Sequence, residues 1–394
     1  PEGTMCPSYM ATLEEEHSTR GRANALRAAI SGNWEGGFTD KRLYEVLDLC
    51  LECKACKAEC PSNVDMAKIK YEFLAHYYKA HGRPLRAWVF GNIELLNRLG
   101  CFFAPLSNWI AGSSLTRFFM SMTGMAPNRS LPPFSRKTFA DWFANRKGKQ
   151  SNRQVVLFHD TYLNYNYPNI GMAATKLFEA AGYEVILPEK KCCGRPLLSS
   201  GFIEQAKEHL AWNVASLFPY VEKGIPIVGF EPSCVSMLRD DYLELTDDPK
   251  AKAVAEGVYL FEEFVQKFSE TGELEIPFYD IQKDILIHGH CHQKALWGME
   301  PSLAALNLPP GFSAESIASG CCGMAGSFGY EGEHYDISLK VGEDRLLQAV
   351  READREVEIV AAGLSCRQQI AHATGRGAKH PAEILCEALT QGEA

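Results

Sequence analysis

Four cysteines crowd into "CLECKACKAECP", residues 50 to 61, with two, two and three residues between them and a proline after the last. Such spacing lets successive thiolates curl round one corner of an iron-sulfur cube. The C-x2-C-x2-C-x3-C-P run is the bacterial ferredoxin pattern, in which the fourth cysteine ligates a different cluster from the first three. Zinc would call for two separated pairs converging as four tetrahedral ligands, which this run does not offer. Cys50, Cys53 and Cys56 are therefore expected to hold one [4Fe-4S] cluster. Its fourth ligand should be another cysteine followed by proline, and Cys6, before Pro7, meets that requirement. An ordinary buried thiol is the alternative for Cys6. By the same rule Cys60 points to a second cluster whose other ligands would precede Cys6. The chain starts at Pro1 with no methionine and reads as cut from something longer.

A second set of cysteines repeats. Cys192-Cys193-Gly194 recurs as Cys321-Cys322-Gly323 at an offset of 129, "PSC" ending at Cys234 recurs as "LSC" ending at Cys366, and Thr161 aligns with Cys291. A tandem duplication accounts for these landmarks. Each glycine after a pair, lacking Cβ, lets backbone N–H groups approach sulfur closely. The rival reading is that the pairs are buried thiols packing as small hydrophobes.

The elements that must position these residues fall into two classes. Residues 1–100 read as helical around the cysteine run: "EEEHSTRGRANALRAAI" from Glu14 to Ile30, "DKRLYEVLDLC", "MAKIKYEFLAHYYKAHG" and "LRAWVFGNIELLNRLG" carry apolar residues at helical spacing. Residues 101–150 read as a helical linker, Pro-rich and then basic. Beyond it, "QVVLFH", "YEVILP" and "IPIVGF" alternate with helical stretches, and "DILIHG" and "VEIVAAG" repeat the pattern. Alternation of this kind implies parallel strands covered by helices. The expected fold is mixed, an all-α ferredoxin-type domain followed by two duplicated α/β lobes over 151–280 and 281–394.

Composition narrows the partners. With 394 residues the chain can bury sizeable cores, so its 14 cysteines are not needed as a disulfide framework. They suit a reducing, cytoplasmic setting. Forty basic against forty-nine acidic side chains give a formal charge of -9 with no basic block, which argues against nucleic acid. The apolar stretch 99–116 contains Pro105, Asn108 and three serines and falls short of a membrane span, reading as buried or interfacial. The stripe Trp88, Val89, Leu96 and Leu99 suits core packing, with peripheral contact to a membrane surface or quinone as the alternative. Arg20, Arg22 and Arg27 share a helix and suit either reduced, more negative clusters and a docked flavin domain, or solvent. "GMAGSF", 323 to 328, is not a G-x-G-x-x-G after a strand and is a weak nucleotide motif.

"KCCGRPLLSSGF", "EPSC", "HGHCH", "CCGMAGSFGYE" and "SCRQQI" resemble the twin CCG domains found in heterodisulfide reductases and in the iron-sulfur component of anaerobic glycerol-3-phosphate dehydrogenase. "MCPSYMATLEEEHSTRGRAN" resembles the iron-sulfur C-terminal part of FAD-linked D-2-hydroxyacid dehydrogenases, where a flavin domain lies upstream. In that family a full repeat has an early cysteine, the pair and a closing C-x-x-C. Here Thr161 and Glu231 stand in the first repeat, leaving Cys192, Cys193 and Cys234. The second keeps Cys291, Cys321, Cys322 and Cys366, with Gly363 at the fifth place. Four thiolates suffice for a cluster or zinc, with His288, His290 and His292 in reserve. Three leave a position open unless His159 or Glu231 helps.

The resemblance implies an iron-sulfur electron-transfer module. It would take electrons from an FAD-binding dehydrogenase domain or subunit that oxidises a 2-hydroxy acid of the D-2-hydroxyglutarate, D-lactate or glycolate type. It would pass them to a quinone or an electron-transfer protein. FAD would sit upstream, no catalytic acid, base or nucleophile is assigned within these residues, and an oligomer is expected, cytoplasmic or peripheral at the inner face of a membrane. The rivals are a thiol or heterodisulfide reductase working at a CCG cluster, which the missing fifth cysteines disfavour, and a zinc-stabilised scaffold.

Overall fold

A computed structural model of the chain describes residues 5–389. The helices Thr19–Ile30, Lys41–Asp48 and Met66–His81 surround the cysteine run. Each starts at a polar cap: Ser18 accepts from the Gly21 N–H, Asp40 from Arg42 and Leu43, and Asp65 from Ala67 and Lys68. These side chains satisfy N–H groups that a first helical turn leaves orphaned. The Ser18 cap divides the helix expected over 14–30 into a 3-10 turn, Glu15–His17, and the helix proper. The pattern over 85–100 likewise makes two helices, Leu85–Gly91 and Ile93–Phe102, parting at Asn92.

Among the described residues, seven parallel strands follow in two sheets. In the first, β1 (Gln154–Phe158), β2 (Glu184–Ile186), β3 (Ile227–Gly229) and β4 (Val258–Leu260) run in the order β2-β1-β3-β4. In the second, β5 (Lys283–Ile287), β6 (Phe312–Ser316) and β7 (Glu358–Val360) run β6-β5-β7. Val155 to Phe158 are wholly buried, as expected of a parallel strand covered on both faces. Strands β4 and β6 fall outside the alternation read from the sequence. Val155, Leu157, Val228, Ile285, Ile287 and Val360 share one core cluster, so the sheets are packed together.

Residues 101–150 are bound into this body. Phe139 is fully buried in the same core, and the buried Arg129 donates to the Gly329 carbonyl, Gln369 and Ser338. The stripe expected to pack as core departs from expectation: Trp88 and Leu99 are nearly half exposed. Downstream, Phe102 is 80% and Trp109 74% exposed, with Phe103, Leu106, Leu115, Phe118, Phe119 and Met122 also outside. Most of these exposed side chains lie on the helices Leu106–Ala111 and Ser114–Met122. No helix among the described residues is long and apolar enough to cross a membrane.

Candidate metal centres

Every cysteine of the repeats sits beyond the carboxyl end of a strand, where parallel α/β sheets gather their sites. Cys192 and Cys193 follow β2 and Cys234 follows β3; Cys291 follows β5, Cys321 and Cys322 follow β6, and Cys366 follows β7. Gly194 and Gly323 turn the chain after each pair at φ 92° and 87°, and the Gly323 N–H lies 3.4 Å from Cys321 Sγ. A Cβ at Gly323 would collide with the Ser338 carbonyl oxygen, so the turn requires glycine.

Between the helices, Cys6, Cys50, Cys53, Cys56 and Cys60 line one cavity of about 310 Å³. The loop that presents Cys53 is strained, since Glu52 and Lys54 on either side have φ of 53° and 60°. Each such residue costs about 1–2 kcal/mol. The side chains hold it in place. Lys54, 1% exposed, reaches Asp240 at 2.7 Å, Asp241 at 2.8 Å and Asp65 at 3.3 Å, while Lys70 lies 3.6 Å from the Glu52 carboxylate.

Cations face the thiols. Burial by itself would raise the Cys6 thiol, but the Arg22 guanidinium, 3.4 Å from its sulfur, together with Ser8 and the Tyr9 backbone, holds it below its ordinary range. Of the three arginines on the helix Thr19–Ile30 only Arg22 is buried against this site; Arg20 pairs with Glu15 at the surface. Lys70 donates to the Cys50 carbonyl at 2.7 Å. Burial pushes the Cys50, Cys53 and Cys56 thiols up, a tendency that coordination of a cation reverses. Backbone N–H groups at Val64, Ser62 and Asn63 hold Cys60 low. Clustered thiols under buried positive charge are the donor set of an anionic iron-sulfur cluster.

The two sheets carry different donors. In the first, the Cys193 and Cys234 sulfurs are 3.1 Å apart and Cys192 adjoins Cys193. The expected helpers differ: Glu231 accepts from the Leu364 N–H at 2.8 Å with one oxygen and from Ser233 with the other, whereas His159 packs on Phe139 with its buried Nδ1 unpartnered but, among the described residues, is not grouped with these thiols as a metal-ligating set. In the second, Cys291, Cys321, Cys322 and Cys366 form a chain of contacting thiols. A fifth cysteine has no room there, because a Cβ at Gly363 would run into the His290 ring.

The two thiol groups meet. Cys53 also lines a second cavity, of about 160 Å³, with Cys291 and Cys321, and His292 Nε2 is 2.9 Å from the Glu52 carbonyl oxygen. Lys54, Asp240 and Asp241, which fix this junction, carry no signal in the sequence. Their partners lie 186 and 187 residues apart and nothing in the spacing pairs them.

Comparison with known proteins agrees with this chemistry. A 4Fe-4S dicluster domain model matches residues 3–65, and a cysteine-rich domain model matches 156–239. One subunit of the anaerobic glycerol-3-phosphate dehydrogenase of Escherichia coli is 30% identical over 335 residues, covering 84% of this chain and 83% of that one. A probable glycolate oxidase iron-sulfur subunit of Bacillus subtilis is 24% identical, over 97% of this chain and 91% of its own length. A D-2-hydroxyglutarate dehydrogenase of Pseudomonas putida is 25% identical over 98% of this chain, which spans only 42% of that protein.

Proposed function

The chain belongs to the family of iron-sulfur subunits that includes this component of anaerobic glycerol-3-phosphate dehydrogenase, and on that premise we propose that it relays electrons from a flavin-bearing dehydrogenase to an external acceptor. The substrate oxidised on the flavin partner is a small hydroxy compound. The names of the relatives point to a 2-hydroxy acid of the glycolate or D-2-hydroxyglutarate type, or to glycerol 3-phosphate. Bound clusters supply one-electron redox steps, which divide a flavin's two-electron load.

The observation that carries this reading is the position of Cys53 on the wall between both thiol groups. Cys6, Cys50, Cys53 and Cys56 would hold one cluster and Cys60 would contribute to another. Cys291, Cys321, Cys322 and Cys366 would hold the metal beyond the wall, whereas Cys192, Cys193 and Cys234 form a smaller set. Arg22 and Lys70 offset the negative charge of the first site, and the Lys54 ion network keeps the loop and its neighbour in register. We divide the chain into a ferredoxin-type domain over 1–100, a helical connection over 101–150 and two duplicated lobes over 151–280 and 281–394. The matching order of three strands in each sheet, β2-β1-β3 and β6-β5-β7, supports the duplication, with β4 as an addition to the first.

The exposed apolar helices give the module a place to work. From Leu95 to Ala140 there is no Asp or Glu, while Arg98, Arg117, Arg136 and Lys137 are exposed. Aromatic and aliphatic side chains ringed by cations suit the headgroup region of an anionic membrane. A cavity of about 480 Å³ joins Trp88, Leu95 and Arg98 to Cys192 and His209, room for a lipophilic acceptor of the quinone class.

Iron, acid-labile sulfide and zinc in anaerobically purified protein, with EPR after reduction, test the relay. Zinc without sulfide would sink it. Flotation with anionic vesicles tests the surface: wild type is expected to float, and Trp109→Glu to remain in solution with its iron content intact.

A further inference from the structure

His288 immediately follows β5 and its ring is fully buried. Nδ1 lies 2.9 Å from Ser319 Oγ. The Ser319 hydroxyl donates to the Ile317 carbonyl at 3.3 Å, so its oxygen accepts from the ring and the imidazole proton sits on Nδ1. Nε2 is left with a bare lone pair and no hydrogen-bond partner. Buried polar atoms are nearly always partnered, because leaving one unmet forfeits its hydration with nothing in return. A metal ion takes a lone pair without needing a proton.

What surrounds the ring fits that need. One ligand atom each from His288, Cys322 and Cys366 lie within 4.8 Å of one another, and all three residues are buried. Ligands bound to a single zinc at about 2.0–2.3 Å stand at comparable separations. Cys321 touches Cys322, and Cys291 touches Cys321, so a third thiolate is at hand. The neighbouring histidines already have partners, although His290 Nδ1 also lies 4.0 Å from Cys291 Sγ. His290 Nδ1 accepts from the His292 N–H at 3.1 Å, and the two nitrogens of His292 meet Ser236 Oγ and the Glu52 carbonyl.

We propose that His288 is a metal ligand, giving the centre at the second sheet mixed imidazole–thiolate ligation through Nε2, Cys322, Cys366 and one further thiolate. Ser319 holds the ring in the ligating tautomer, as partners of metal-bound histidines do. Zinc and iron both accept this donor set. The inference rests on the second sheet being a metal site.

The test begins with anaerobically purified full chain and its Cys366→Ala variant. The metal whose content falls in the variant identifies the centre. For zinc, X-ray absorption should find one nitrogen at about 2.0–2.1 Å among sulfurs at about 2.3 Å; for iron, pulsed EPR of the reduced protein should find a histidine nitrogen coupling. His288→Leu is expected to lose that signal and at least nine-tenths of this metal, while the iron and sulfide of the Cys50 run remain. His288→Cys is expected to keep the metal with an all-sulfur shell. Ser319→Ala, which leaves the ligand in place, should weaken metal binding about 10–100-fold. An all-sulfur shell in the wild type, or a full metal complement in His288→Leu, overturns the proposal while leaving the metal site standing. Equal metal in wild type and Cys366→Ala overturns both.

Discussion

Three strands of each sheet run in the same order, β2-β1-β3 and β6-β5-β7, and both sheets carry the Cys-Cys-Gly turn, yet their polar residues face different tasks. After β5, His288 points a bare nitrogen toward two thiols; after β1, the corresponding His159 also has an unpartnered buried Nδ1 but packs on Phe139 and, among the described residues, joins no group of metal-ligating side chains. After β3, Glu231 crosses to cap the helix Leu364–Thr374 of the other sheet. Arg195 pairs with Asp241, which with Asp240 grips Lys54 in the ferredoxin-type loop. Similar strand-end positions thus gather thiols and a histidine at the second sheet and, at the first, a clamp on neighbouring elements. The difference arises from a few side chains at equivalent strand ends.

The widest separation between the two is expected on removing a closing thiol. Cys366→Ala should lose at least 99% of the metal at the second sheet, and with it thermal stability, because binding energy to a folded metal site is folding energy. Cys234→Ala should cost far less metal. Metal analysis and calorimetry of the two variants check this, and equal losses would erase the contrast. The clamp is probed by Lys54→Ala. Removing Lys54 leaves Asp65, Asp240 and Asp241 with only Lys57 and Arg195 as cationic partners, so the cost should approach, without exceeding, the about 3–5 kcal/mol of an uncompensated buried charge. Denaturant titration measures it. A change below about 1 kcal/mol, the range of an exposed pair, would mean that the network does not hold the loop.

A third test uses pH, because the second sheet is tied to the helical domain differently. His334 lies 2.8 Å from Asp48 and 3.2 Å from Glu331, with Phe328 stacked on its ring and Arg86 beside Glu331. Burial alone would lower its pKa; the two carboxylates overcome that and raise it to about 9. The bound proton therefore stabilises the fold fully below the ordinary histidine value, and the contribution is lost as pH rises through about 9. Up to about 3 kcal/mol should disappear between about pH 6.5 and 9. His334→Gln should flatten that slope. A slope unchanged in the variant would assign the pH dependence to other groups.

Which of these features were legible in sequence follows from their range along the chain. The ferredoxin-type run and the Cys-Cys-Gly turns are local, so spacing alone exposes them, and strands β1, β2, β3, β5 and β7 announce themselves as short apolar runs. Strand β6 does not, because "FSAES" has one buried residue in five. The separate fates of His288, His290 and His292 were beyond reach, since they depend on Ser319, Ser236 and Glu52, 31 to 240 residues away. The stripe at Trp88 and Leu99 has the periodicity of a core helix. Periodicity identifies an apolar face without saying what covers it.

The smallest expected effect asks whether the clamp can be turned back into a pocket. Glu231→Cys restores the first position of a closing C-x-x-C beside Cys192, Cys193 and Cys234, and removes the carboxylate that caps Leu364 at 2.8 Å. Loss of a cap costs about 0.5–2 kcal/mol. The variant should therefore unfold slightly earlier and bind up to one more metal centre per chain. The reciprocal Gly363→Cys should gain none, because its Cβ would run into the His290 ring. If Glu231→Cys gains no metal although its cap is lost, then three thiols and an added fourth are not enough to make a site at the first sheet, and its geometry has diverged further than its donors.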